Sequence, residues 1–355
     1  MDFIRYGLIA CIIAVGLFIA NEWAEFNEDN HLATTTSAAA SDSNSDLPTV
    51  SASTSDLPEV DASVPESAVA ATNPAANTSQ LVTVTTPTLE LKISLAGGDI
   101  VYAALPKHKT SLDEDLGSFK LLEQNSTRTY IAQSGLIGRD GTDTAEGRAQ
   151  YSSVRTSYTL AEGTDSLAVD LVQQVGEVTI TKRYTFTPDS YVVNVKHIVA
   201  NNSGDTWSAA EYAQLRRDNT EDPGAISGGM GMAPYLGAAT SMEGKPYEKI
   251  DFDDFEKFDK FKTTDTYIAI VQHYFVGAWI SAIGEEVSIS TRKSNGDNLI
   301  RYVSGVKDIA AGTTGEYSSQ LYVGPKDQYV LEELAPGLDL TVDYGWLWWL
   351  TQPLI

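Results

Sequence analysis

The chain has 355 residues, with 24 Lys or Arg against 48 Asp or Glu, and a formal net charge of −24. A surface this acidic repels nucleic-acid phosphates and as a whole gains nothing from anionic lipid headgroups, so nucleic-acid binding is excluded. Its single cysteine, Cys11, rules out a disulfide framework within the chain and any metal site built on cysteine.

In chain order, the first element is apolar. Residues 3–20 carry only Arg5 and a few small side chains besides apolar ones, and extension to Trp23 gives close to the ~20 residues that a helix needs to cross a bilayer core of ~30 Å. The candidate anchor side chains are Tyr6, Leu8, Ile9, Ile12, Ile13, Val15, Leu17, Phe18, Ile19 and Trp23. Arg5 precedes the run, while Glu22, Glu25, Glu28 and Asp29 follow it. The positive-inside bias then places the amino terminus in the cytoplasm and the rest of the chain outside. A cleaved signal peptide would need a small-residue cleavage site, and Asn21-Glu-Trp23 is a poor one. Leu8-Ile-Ala-Cys11 is shaped like a lipoprotein box, but such a box closes the apolar run, and nine apolar or small residues follow Cys11. Residues 1–25 are therefore expected to be an uncleaved signal anchor.

Residues 26–80 change character. Ala, Ser, Thr, Asp, Asn and Pro dominate, no Lys or Arg occurs between Arg5 and Lys92, and positions 27–80 hold eight acids. Such a composition cannot bury enough apolar surface to offset chain entropy, which predicts a flexible acidic linker.

From Leu81 the pattern is that of a β protein. Leu89, Leu91, Ile93 and Leu95 alternate with Glu90, Lys92 and Ser94, and Gly97-Gly98 turns the chain into an apolar stretch at 100–105. Strand signals recur at 167–171, 178–186, 191–199, 267–283, 287–289 and 320–323, punctuated by Gly, Asn, Asp or Pro. Short strands at this spacing predict one mainly β, antiparallel sandwich over residues 81–336. Its one convincing helical piece lies around 326–334, stopped by Pro336-Gly337.

The last stretch, residues 337–355, places Trp346, Trp348 and Trp349 within four positions, followed by an apolar run. Tryptophan gathers at the membrane–water boundary because its ring has an apolar body and one polar edge. A segment that folds back and buries its tryptophans is the competing reading, but the anchor at the other end favours a return to the membrane.

Residues for catalysis are scarce. Of four histidines, His31 falls in the linker, His108 in a loop with Pro and Lys, His197 in a strand and His273 in the apolar run 267–283. None pairs with another at metal-ligand spacing. The acidic cluster Asp251-Phe-Asp-Asp-Phe-Glu256 lacks the EF-hand layout and reads as a solvated edge over Phe252, Phe255, Phe258 and Phe261. Gly228-Gly-Met-Gly231 has no phosphate-loop context, and no Gly-x-Ser-x-Gly elbow occurs. Nothing argues for an enzyme, a metal or a cofactor.

Anchor, acidic linker, large β domain and aromatic return, in that order, resemble the YidC-type (YidC/Oxa/Alb) membrane protein insertases of Gram-negative bacteria. Local motifs carry the resemblance: Ala96-Gly-Gly-Asp-Ile100, Gln133-Ser-Gly-Leu-Ile-Gly-Arg-Asp-Gly141, Tyr247-Glu-Lys-Ile250, Gln272-His-Tyr-Phe-Val-Gly-Ala-Trp-Ile280, Leu321-Tyr-Val-Gly-Pro325 and, most specifically, Leu338-Asp-Leu-Thr-Val-Asp-Tyr-Gly-Trp-Leu-Trp348. The resemblance implies a periplasmic β-supersandwich carried on one transmembrane helix of the inner membrane, with a short C-terminal helical segment. It implies contacts with the Sec translocon and its accessory subunits, with the lipid bilayer, and with nascent inner-membrane proteins. In the family, insertion is performed by a later bundle of five transmembrane helices with a buried arginine in its groove. No residue here is expected to take that groove role, and insertion is not expected from these 355 residues alone. The family's C-terminal helical end, carried over here to residues 327–349, is the part tied most closely to insertion. Its candidate contact residues are Leu331, Leu334, Leu338, Leu340, Tyr344, Trp346, Trp348 and Trp349. The alternative on the same architecture is a membrane-tethered carbohydrate-binding or mutarotase-like protein, which would bring histidines and a carboxylate together on one concave face.

Overall fold

A computed structural model describes residues 81–110, 117–222 and 235–342. The expected anchor, the linker and the tryptophan-rich residues 343–355 lie outside the described residues. Among the described residues no helix is long and apolar enough to cross a membrane.

Two sheets build the fold. The first runs β13 (Phe261–Thr263), β16 (Val287–Ser294), β17 (Asp297–Ser304), β10 (Trp207–Arg217), β5 (Thr129–Ile137), β4 (Ser118–Gln124), β3 (Ile100–Lys109), β2 (Glu90–Ser94), β1 (Leu81–Thr85) and β6 (Ser157–Thr159), with β18 (Lys307–Ile309) also pairing β10. The second runs β12 (Lys245–Ile250), β11 (Gly237–Met242), β14 (Tyr267–Val271), β15 (Phe275–Ile280), β19 (Thr313–Pro325), β9 (Val192–Asn201), β8 (Val178–Phe186) and β7 (Leu167–Val175). Neighbours are antiparallel except β1 and β6, which run parallel. The expected mainly β sandwich is what the chain forms.

Alternation decides which side chains meet between the sheets. Val82, Leu91 and Ile93 of the first sheet share one buried core with Ile180, Val193, Ile268 and Leu321 of the second. The Trp279 indole N–H crosses the gap and donates to the Gln214 carbonyl at 3.2 Å. A further layer covers the outer face of the second sheet. There Tyr267, Ala269, Val271, Val276, Ala278 and Ile280 pack under α1 (Gln328–Leu334) and a 3-10 turn at Leu338–Thr341. Strands β14 and β15 are therefore buried on both faces.

Two elements differ from the expected ones. The apolar run 267–283 is a hairpin of β14 and β15, joined through Gln272, His273 and Tyr274 without Gly, Pro, Asn or Asp. The Gln272 N–H donates to the Phe275 carbonyl at 3.0 Å, and the His273 N–H to the Asp222 carboxylate at 2.9 Å, so the turn is fixed partly from a remote residue. His108 lies near the end of β3 rather than in a loop. The acidic cluster at 251–256 is a 3-10 turn whose Phe255 is buried, with Phe252, Phe258 and Phe261 packed partly beneath, as expected.

Candidate functional site

The expected contact region is built as a cap on the outer face of the second sheet. The Asp327 carboxylate accepts the Tyr329 and Val330 N–H groups at 3.1 and 3.3 Å, satisfying donors that a helix start leaves open. After seven helical residues the Ala335 N–H closes the helix on the Leu331 carbonyl. Gly337 then takes φ 80° and lies so close to the Pro246 carbonyl that no Cβ fits. The Tyr267 hydroxyl donates to the carbonyls of Gly337 and Pro246, at 3.1 and 3.3 Å, pinning the bend to the sheet. Beyond it the Thr341 hydroxyl donates to the Leu338 carbonyl at 2.7 Å.

This construction divides the candidate contact residues. Leu331 and Leu338 are fully buried in the seam with Ala239, Ala269 and Ala278, whose small side chains let the cap approach. Leu334 packs at its margin. Leu340 remains 45% exposed, and the structure adds Tyr329 at 71% and Val330 at 39% as apolar groups facing water. Tyr344, Trp346, Trp348 and Trp349 lie outside the described residues, as do all ten anchor candidates. Tyr329 and Val330 were not anticipated. Helical spacing carries the signal for them, since Leu331 faces the sheet and its immediate predecessors turn outward.

Two of the quoted motifs join in the interior rather than at a surface. Asp99, from the turn at Gly97-Gly98, accepts from Gln133 at 2.7 Å and pairs with Arg148. Arg148 also pairs with Asp143 at 3.0 Å, and Asp143 accepts from the Ala149 N–H and the Tyr212 hydroxyl. Gly135 lies where any Cβ would strike the Asp143 carboxylate. Lys182, fully buried on β8, donates to the carbonyls of Gly97 at 2.9 Å and Ser134 at 2.8 Å. Burial pulls its ammonium pKa down to about 8, against the pull of Asp99. Such a network fixes the relative position of β3, β5 and β8, and its most exposed cation, Arg148, keeps about a fifth of its side chain in water.

The three described histidines stay apart, and His31 lies outside the described residues. The Nδ1 of His197 lies 3.0 Å from Glu211 in the core between the sheets, and the Ser319 hydroxyl donates to the same carboxylate at 3.2 Å. His108 contacts Tyr191 and Phe275, and His273 stacks on Tyr274. Each has its own partners, so the concave histidine–carboxylate face of a mutarotase-like site does not form from them. Among the described residues no group of three metal-ligating side chains gathers.

The family model for the YidC periplasmic domain matches residues 81–355. The chain belongs to this family. It is 44% identical over 284 residues to the membrane protein insertase YidC of Alcanivorax borkumensis, covering 78% of this chain and 49% of that protein. It is 40% identical over 360 residues to the YidC of a Marinomonas species and 38% over 366 residues to that of Cellvibrio japonicus, covering all of this chain and 64% of each relative. The chain thus spans from about half to just under two thirds of these curated relatives. A galactose mutarotase related enzyme from Lactobacillus acidophilus superposes with a TM-score of 0.43 at 11% identity, covering 68% of this chain and 97% of the enzyme, a likeness too distant to bear on ligand or chemistry.

Proposed function

We propose that this chain is the anchor and periplasmic scaffold of a membrane protein insertase, which aids insertion and folding of inner-membrane proteins with or without the Sec translocon. The family match over residues 81–355, with relatives named as insertases at 38–44% identity, carries the proposal. In this reading residues 1–25 cross the inner membrane with the amino terminus in the cytoplasm, and residues 26–80 tether a periplasmic domain of residues 81–336. Residues 337–355 lead back to the bilayer. The domain works by contact rather than catalysis: its interior is occupied by a closed polar network, while the cap leaves Tyr329, Val330 and Leu340 exposed beside the route to the membrane. Exposed apolar groups on the helix and on the 3-10 turn that follows it mark an interaction surface. The partners proposed for it are subunits of the Sec translocon.

Topology is the first test. In a Cys11→Ser background, a cysteine at Ile283, which is 97% exposed, should react with a membrane-impermeant maleimide on intact spheroplasts. A cysteine at Asp2 should react only after lysis. Protection of the Ile283 site until lysis would overturn the proposed placement.

A further inference from the structure

Buried hydrogen-bonding capacity goes unmet between the sheets where β5 begins and β10 ends. Arg217 stands opposite Tyr130 of β5 on one side and Asn298 of β17 on the other, so the three side chains share one face. That face is the inner one. Tyr130 belongs to the core between the sheets, and its hydroxyl lies 2.4 Å from where a Cβ on Gly277 of β15 would sit. Gly277 pairs with Ile270, and Gln272 follows two residues later on the same inward face of the hairpin. Arg217, Tyr130, Asn298 and Gln272 are all fully buried, and Arg128 nearly so.

Among the described residues, Arg217 makes one hydrogen bond, from Nη2 to the Thr220 carbonyl at 2.8 Å, and sets its guanidinium over the Tyr130 ring at 5.2 Å. Its Nε and Nη1 have no partner, nor do the Arg128 Nε, the Tyr130 hydroxyl, both amide atoms of Gln272 and the Asn298 Oδ1. Four of these atoms are nitrogens that only donate, and two are oxygens that only accept. Three of the four nitrogens belong to guanidiniums, which stay charged at any physiological pH.

The acids nearby are already engaged. Asp218 accepts the Thr129 N–H and both the N–H and the hydroxyl of Thr220. Asp222 accepts the His273 N–H, and Glu123 comes no closer to Arg128 than 3.9 Å. Asp218 and Asp222 act on Arg217 only through space, while Arg128 repels it. A buried guanidinium with unmet N–H groups costs several kcal/mol unless an acceptor meets them. Water is a poor match, because it brings two hydrogens of its own to a cluster already rich in donors and supplies no countercharge.

We propose that this cluster is a buried anion site that takes a chloride-sized ion, held by the Arg217 guanidinium with the Gln272 amide and Arg128 beside it. A halide only accepts, from several N–H and O–H groups at once, and it carries the missing charge. Full burial of Arg217, Tyr130 and Gln272 limits the guest to a small ion that enters as the chain folds or breathes. Its role is to tie the β14–β15 hairpin to β5 and β10, and it is independent of any contact with a translocon.

The test uses the whole 355-residue chain in neutral detergent, with sodium chloride exchanged for sodium gluconate at constant ionic strength. Chloride at tenfold its Kd should raise the melting temperature by about 3 °C or more, as one site saturated only in the folded state requires. The same exchange should slow amide exchange at residues 128–131 and 215–220 more than in the cap at 328–334. Arg217→Met should abolish both effects. Where that variant does not fold, Gln272→Leu decides, because leucine fills a similar volume and leaves the hairpin backbone intact. Without an anion, Gln272→Leu removes an unmet amide and leaves the chloride response as in the parent; with one, the response shrinks by half or more. Equal melting in the two salts, a chloride response that survives in the deciding variant, or slowing centred away from these residues overturns the site.

Discussion

Lys182 lies on the inward side of β8, in line with Val178, Ile180, Tyr184 and Phe186. The alternation in its sequence assigns that face without explaining why a lysine belongs there. The explanation is remote: two carbonyls and the Asp99 carboxylate, contributed by motifs 48 or more residues away in the chain. Lys182→Met should cost about 3 kcal/mol, because it leaves two buried carbonyls without their donor and removes one of the two cations that face Asp99. It should also change the pH profile. The unfolded chain keeps this lysine's proton to its ordinary 10.5 and the folded chain only to about 8. Between those values the unfolded state binds more protons, so this group makes stability rise with pH, by about 3 kcal/mol over the window. Subtracting urea-unfolding free energies of the variant from those of the parent isolates that rise, since the buried tyrosines are common to both. At His197 the sign is the same on the acid side. Burial lowers its pKa, so the unfolded chain protonates first and stability falls as pH drops below about 6.5. Melting temperatures should decline there, and less steeply for His197→Gln.

At the level of elements, legibility followed exposure. Strands with one wet face, such as β2 and β8, stood out by alternation, and α1 was found within two residues because Pro336-Gly337 stops it. Strand β10 gave no signal. Its Trp-Ser-Ala-Ala-Glu-Tyr-Ala-Gln-Leu-Arg-Arg sequence is buried on both faces, and Glu211, Gln214 and Arg217 find polar partners inside, so neither alternation nor apolarity marks it. The hairpin turn at His273 was hidden likewise, because its holding group, Asp222, is distant in sequence. For the cap, Asp327→Ala should cost about 1 kcal/mol and speed amide exchange at Tyr329 and Val330. Gly337→Ala should cost about 2 kcal/mol or more and release the cap, seen as faster exchange at Leu331. A Gly337→Ala protein with unchanged exchange at Leu331 would mean that the bend does not hold the cap in place.

At the scale of the molecule, the second sheet is the centre of three layers. The first sheet and the polar network cover one face, and the cap covers the other. The sequence motifs that point to the family divide accordingly: some close the interior, and the last ones form the cap. That division was not legible beforehand, because glycine and acidic positions look alike whether they serve a buried network or a surface. It concentrates the proposed contact function on Tyr329, Val330 and Leu340 and on whatever follows them. The most direct measurement is a chimera in which these 355 residues replace the matching part of the Marinomonas relative, supplied to cells depleted of their own insertase. The chimera should restore insertion of a single-span inner-membrane protein, and Tyr329→Ser with Val330→Ser and Leu340→Ser should reduce that insertion several-fold without unfolding the β domain. A folded, membrane-resident chimera that inserts nothing would contradict the proposed role.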